Sequence, residues 1–259
     1  MLLGTRSGNT FSYLSPGDRS LAQTIWPPGR VSVTPELATG AMQAVGRALR
    51  DLAAYRAGMP GVSAAPPALS RLDRWLRQGG TGENSTRLHE LCRSRLGESR
   101  LRVLKEWCRE PAEPAPGHVL LHGEPSLGLI VPAPDGPGAV LLTGETLSRG
   151  PREFDAGWLI GELAEMADVA RHHLPAAGEL ELPPFDTMAA ALLEGCGGSM
   201  ELTPLGRVAT LRRLAHVVDF ATYVGWNPGV GAYVEAIAEL VDSDGRPALA
   251  STGLSAGHS

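Results

Sequence analysis

The chain has 259 residues, 43% of them hydrophobic, with 23 basic against 28 acidic side chains and a formal net charge of −5. That length allows one large domain or two lobes sharing a cleft, and the acidic balance gives no general attraction to nucleic acid or to an anionic membrane. No stretch reaches the roughly 18 uninterrupted apolar residues of a spanning helix, and MLLGTRSGNTF lacks a basic-then-apolar secretion signal, so a cytoplasmic protein with neither nucleic acid nor membrane as partner is expected.

Residues 1 to 26 hold three short segments, MLLGTR, NTFSYL and, after the SPGD turn, RSLAQTIW. Together they predict a small antiparallel meander. Thr34 followed by Pro35 has the form of a helix N-cap and first helical residue. Leu37, Met42, Val45, Leu49 and Leu52 then mark one face of a helix running to Gly58. MPGVSAAPPAL reads as a linker. SRLDRWLRQGG follows, and then an arginine-laced helical region from Ser85 to Glu110 anchored by Leu88, Leu96, Leu101, Leu104 and Trp107.

HVLLHG and AVLLTG predict two short strands flanking a PAPDGPG turn, and four helical segments come after Gly150. From Asp242 onward the small, polar composition of SDGRPALASTGLSAGHS predicts a disordered tail. His172 and His173, before Pro175, read as a solvated helix cap, and His216, within a long apolar helix, as a packed core histidine. Arg93, Arg95, Arg100 and Arg102 read as a solvated face, with a groove for an acidic peptide as the alternative. Three cysteines at wide spacing exclude a disulfide framework and a structural zinc site. Cys92 and Cys108 fall on apolar helical positions, leaving Cys196 as the accessible thiol. Only Lys105 among the basic residues is a lysine, which with the Ala, Gly, Pro and Arg richness points to a GC-rich bacterial genome.

Between Val119 and Asp155 the strings VLLHGEPSLGLIV, AVLLTGE and GPREFD resemble the active-site frame of the aminoglycoside phosphotransferase-like kinases, which share the protein-kinase fold. In that family the strings read HGDLHPGNVLV, an apolar strand ending in an IDW-type aspartate, and GDPxxD. His122 and Gly123 match, while Glu124 stands at the catalytic aspartate, Leu129 at the metal-binding asparagine and Thr143 at the metal-binding aspartate. Gln23, in RSLAQTI, falls near the strand lysine that pairs with nucleotide phosphates. The resemblance runs over nearly all of residues 1–240 and implies an α+β, bilobal fold. Its parts would be a reduced N-lobe of short antiparallel strands and one helix over 1–58, a connecting segment over 59–84, a helical C-lobe with cleft strands over 85–241, and the tail over 242–259.

Phosphoryl transfer depends on positioning and on a lysine and metal ions that neutralise phosphate charge. Glutamine offers no cation, leucine cannot ligate, and threonine is a poor ligand for magnesium. Loss of ATP and magnesium binding is therefore expected, with no cofactor, and Glu145 is the one nearby carboxylate that a register shift could bring back. The resemblance places His122, Glu124, Arg149, Arg152, Glu153 and Asp155 at the cleft, with His122 and Asp155 bracing the loop from behind. Glu124 is then either a general base or a simple polar contact.

The reading is a pseudokinase that binds a precursor peptide or a partner modifying enzyme. By analogy with degenerate family members in lanthipeptide and thioamitide pathways, it would assist thioether ring closure as a lanthionine-type cyclase. Glu124 and His122 would move the proton there, and Arg149 or Arg152 would stabilise the enolate. Two alternatives stay open: a divergent active kinase acting on a small molecule or on peptide Ser/Thr, with Glu145 as metal ligand, and a structural subunit of a modifying complex. Homo- or hetero-oligomeric assembly is also open.

Overall fold

In the computed structural model, which describes residues 1–8, 10–25, 34–55, 61–173, 183–197, 200–250 and 252–254, the cap at Thr34 forms as its sequence predicts. Its hydroxyl accepts the Leu37 N–H at 3.3 Å and Pro35 takes the first helical position of α2 (Pro35–Ala53). The helix buries Ala38, Met42, Val45, Gly46, Leu49 and Leu52 on one face. That face lies along α6 (Phe185–Cys196), and the two backbones meet at glycines. A Cβ on Gly46 would sit 2.2 Å from the Leu192 carbonyl oxygen, and one on Gly195 would sit 2.2 Å from that of Gln43. One hydrophobic core consequently runs from Leu21 through α2 into the C-terminal helices.

The expected N-terminal meander is different in detail. β1 (Leu2–Leu3) leaves it to pair in parallel with β6 (Ala139–Thr143), which is itself antiparallel to β5 (Ile130–Pro132). β2 (Thr5–Ser7) and β3 (Thr10–Ser12) form a separate hairpin. RSLAQTIW, expected as a third strand, contains a short helix, α1 (Leu21–Ile25). The reason is a capping box: Ser20 N–H donates to Gln23 Oε1 at 2.9 Å, and the Gln23 N–H donates to Ser20 Oγ at 3.4 Å. Gln23 is thus an exposed cap residue and not a strand residue facing a cleft. Trp26 and residues 27–33 lie outside the described residues, as do the side chains of His172 and His173.

The segment expected only to connect contains α3 (Pro67–Gln78), an amphipathic helix burying Leu69, Leu72, Trp75 and Leu76. The Trp75 indole N–H donates to Ser85 Oγ at 3.0 Å, tying α3 to α4 (Glu83–Arg109), which breaks at Gly97 with φ 71°. β4 (Val119–Leu121) pairs antiparallel with β7 (Ser148–Gly150), and Ser63 bridges the outer edge of β7.

Beyond β7 the described residues form the helices α5 (Phe154–His173), α6, α7 (Leu202–Asp219), α8 (Val230–Asp242) and α9 (Arg246–Ala250). Within α4, Arg95 pairs with Glu235 and Arg100 forks onto Asp242 at 2.7 and 2.6 Å, so two of the four arginines of the expected solvated face fasten α4 to α8. The tail expected from Asp242 is packed structure as far as Ala250, and again at 252–254. α9 buries Ala248 and Leu249, and Gly245 touches the Gly206 backbone of α7 at a distance that a Cβ would reduce to 2.2 Å. Two facing glycines let a weakly apolar segment dock closely enough to bury itself. No helix among the described residues is long and apolar enough to cross a membrane.

Candidate functional site

The HGE string leaves β4 after two buried leucines and turns sharply. Gly123 has φ +88°, and a Cβ there would lie 2.0 Å from the Thr146 carbonyl oxygen, so this position takes only glycine. Asp155, in the first turn of α5, holds the turn from behind. Its Oδ2 accepts the His122 N–H at 2.7 Å and its Oδ1 the Gly123 N–H at 2.9 Å. Burial pushes the Asp155 carboxyl up, against the opposing pull of His122 and of those two N–H groups.

His122 is fully enclosed, and its Nε2–H donates to the Leu142 carbonyl at 2.9 Å. Its Nδ1 has no hydrogen-bond partner among the described residues. The ring therefore links the end of β4 to β6 and presents no open face to a cleft. That placement argues against the proton-transfer role expected for it and for a bracing one.

Glu124 is the member of the string that reaches outward, and its carboxylate is occupied. Arg71 of α3 forks onto it, Nη2 to Oε1 at 2.5 Å and Nη1 to Oε2 at 3.2 Å. Asp219, at the end of α7, is also close. Burial first and the like charge of Glu124 second push the Asp219 carboxyl up, while Arg71 and Arg212 pull it down. Arg71 is hydrogen-bonded to Glu124, and its charge also acts on Asp219. Sequence reasoning missed both Arg71 and Asp219, because nothing in their spacing relates them to the HGE string.

The residues at the metal positions do not fit a magnesium ion. Leu129 closes a 3₁₀ turn (Leu127–Leu129) and packs against the core. Thr143 is 1% exposed, its hydroxyl is without a partner among the described residues, and its carbonyl accepts the Tyr13 hydroxyl at 3.1 Å. Glu145, expected as the carboxylate that could return, lies at the surface paired with Arg6 at 2.6 Å. Tyr13 and Arg6 lie on and beside the β2–β3 hairpin, which therefore covers the Thr143–Glu145 turn. Among the described residues no group of three or more His, Cys, Asp or Glu side chains is arranged to hold a metal.

Arg149, Arg152 and Glu153 are not brought to Glu124. Arg149 is exposed on β7, with its backbone N–H on the Ser63 carbonyl at 3.0 Å. Arg152 borders a cavity with Arg50, Asp155 and Cys196, and Glu153 borders a different one with His118 and Arg207. Cys196 is buried, contrary to the expected accessibility. It is 2% exposed and burial pushes its thiol up to about 12, which makes it an inert packing residue.

His216 is the other correction, since it is half-exposed and not a core residue. Its Nδ1 lies 2.6 Å from Glu165 Oε1, which also accepts the Tyr233 hydroxyl at 2.5 Å. Burial alone would raise the Glu165 carboxyl. His216, Arg212 and Tyr233 outweigh it and hold the group below its ordinary 4.5. A carboxyl depressed in the folded state adds stability that is present above its unfolded value and lost as pH falls through the folded one. Urea unfolding of Glu165→Gln beside the parent should accordingly show a stability gap at pH 7 that narrows below about pH 4.5. A gap of constant size over that range would contradict this assignment.

No family model and no curated protein matches this sequence. Among solved structures, a candidate aminoglycoside phosphotransferase from Ralstonia eutropha JMP134 superposes with a TM-score of 0.51, covering 92% of this chain and 72% of that one at 14% identity. A likeness at that identity establishes fold and nothing finer, and what it establishes is that the chain has the α+β, kinase-like fold of an aminoglycoside phosphotransferase, with a helical C-lobe.

Proposed function

We propose that the chain is a pseudokinase, a phosphotransferase fold that does not transfer phosphate and uses its cleft to bind a precursor peptide or a partner modifying enzyme. The observation that carries this reading is the Arg71 fork on Glu124. Both carboxylate oxygens are taken by the guanidinium, so neither is free to accept a proton from a substrate hydroxyl. The closed surroundings of Thr143 and the apolar Leu129 support the same reading, because each removes a metal ligand that would help neutralise nucleotide phosphates. Arg71 and Glu124 remain as a paired cation and anion suited to gripping backbone or side-chain polar groups of a peptide. In a lanthipeptide-type ring closure Arg71, held in place by Glu124, would take the enolate-stabilising role expected of Arg149 or Arg152.

The deciding experiment is a thermal shift with ATP and magnesium. A native state saturated to a hundredfold above its Kd gains about 2.7 kcal/mol, which for a chain of this size raises Tm by several degrees. No shift is expected here, whereas isothermal titration with a synthetic Ser-, Thr- and Cys-rich peptide should give binding that Arg71→Ala weakens. A magnesium-dependent rise with ATP, abolished by Glu145→Ala, would establish the divergent-kinase reading in its place.

A further inference from the structure

The Glu165–His216 pair has no part in the Glu124 site, and it opens on a cavity of its own. That cavity, of about 410 Å³, is walled by Val169, Val217, Phe220, Trp226 and Val230, with Glu165, His216 and Tyr233 as its polar side. Its size lies within the range of roughly 300–1,000 Å³ usual for small-molecule sites, and so does its pattern of apolar wall and few convergent polar groups. The backbone is shaped around it. α7 passes into a π-helical turn (Phe220–Val224) that ends at Gly225, φ 145°, a distortion that recurs at functional sites. The Trp226 indole is held on one face by the Arg87 guanidinium, 3.9 Å from the ring centroid, which fixes the orientation of this wall residue.

Charge decides what the cavity accepts. Glu165 is buried and anionic, so a carboxylate or phosphate ligand would be repelled. The same oxygen of Glu165 already takes His216 and Tyr233, and Arg212 shares its charge, so an added cation finds its counter-ion engaged. A neutral ligand is left. With Nδ1 committed to Glu165, the imidazole has Nε2 as its remaining polar atom, on a side chain 47% exposed. A hydroxyl suits Nε2 in either state, donating to the neutral ring and accepting from the imidazolium. An aromatic ring matches Phe220, Trp226 and the ring of Tyr233.

We propose that this cavity is a binding site for a phenolic group, with its ring between Phe220 and Trp226 and its hydroxyl on His216 Nε2. A free small molecule and a tyrosine in a peptide both supply that phenol; the chemistry is shared, and the site is independent of the pseudokinase reading.

The test is isothermal titration of the full chain with p-cresol and with toluene, which has the same ring and methyl group but no hydroxyl. p-Cresol should bind saturably and about three- to tenfold more tightly than toluene, the worth of one neutral hydrogen bond. His216→Leu, checked for folding by circular dichroism, should bring p-cresol down to the affinity of toluene. A short peptide carrying tyrosine that binds better than its phenylalanine counterpart assigns the site to a peptide, whereas p-cresol binding without that preference assigns it to a free phenol; both uphold the proposal. Equal affinities for p-cresol and toluene in the unaltered protein, or no saturable binding of p-cresol, would overturn it without recourse to any variant.

Discussion

Asp155→Ala is expected to lower the stability of the chain by about 2–6 kcal/mol, two buried N–H donors left without a partner at about 1–3 kcal/mol each. Its carboxylate accepts the backbone N–H groups of His122 and Gly123, both buried, and each would be left unpaired. Asp155→Asn should fall between the two, because one amide oxygen can still accept while the NH₂ is turned toward a second donor. Urea unfolding followed by circular dichroism reads the difference. Equal stability of Asp155→Ala and the parent would mean that the HGE turn is held by its glycine and strand pairing alone.

That brace is legible in the sequence because the elements that form it are local strings of recognisable chemistry: a strand, a His-Gly turn, and an aspartate opening a helix. The partner of Glu124 is not legible. Arg71 sits on the polar face of α3, 53 residues earlier, and a lone arginine on an amphipathic helix carries no sign of which carboxylate it will meet. His216 misleads for the same reason, since its position in an apolar helix says nothing of Glu165, 51 residues upstream.

The α1 helix is a different case. Ser20 and Gln23 spell a capping box, so the signal is present, but five helical residues beside two short alternating strands make it easy to mistake for a third. Packing that depends on glycine pairs is hidden altogether. Gly206 against Gly245 docks α9, and no hydrophobic pattern marks a contact made by the absence of side chains.

The contact between α2 and α6 turns that last point into a measurement in which two effects of opposite sign compete. Replacing a helical glycine by alanine normally stabilises by roughly 0.5–1 kcal/mol through reduced backbone freedom. Gly231, in α8, has nothing within 4 Å of the place a Cβ would take, and Gly231→Ala should show that gain. At Gly46 the added methyl would stand 2.2 Å from the Leu192 carbonyl and 2.9 Å from the Cys196 nitrogen, both backbone atoms that no rotamer change can clear. Relief requires one helix to slide or lift, and overpacking of this kind costs typically about 1–3 kcal/mol and occasionally more. Gly46→Ala is therefore expected to destabilise by about 2 kcal/mol net, and Gly46→Val by more. Gly195 faces Gly46 across the same crossing, where a Cβ on Gly195 would stand 3.0 Å from the Gly46 Cα. A single displacement of the helices would relieve both positions, so Gly46→Ala combined with Gly195→Ala should cost less than the sum of the two alone. Additive costs in thermal or urea unfolding would show that the helices yield locally at each site and do not move as rigid bodies.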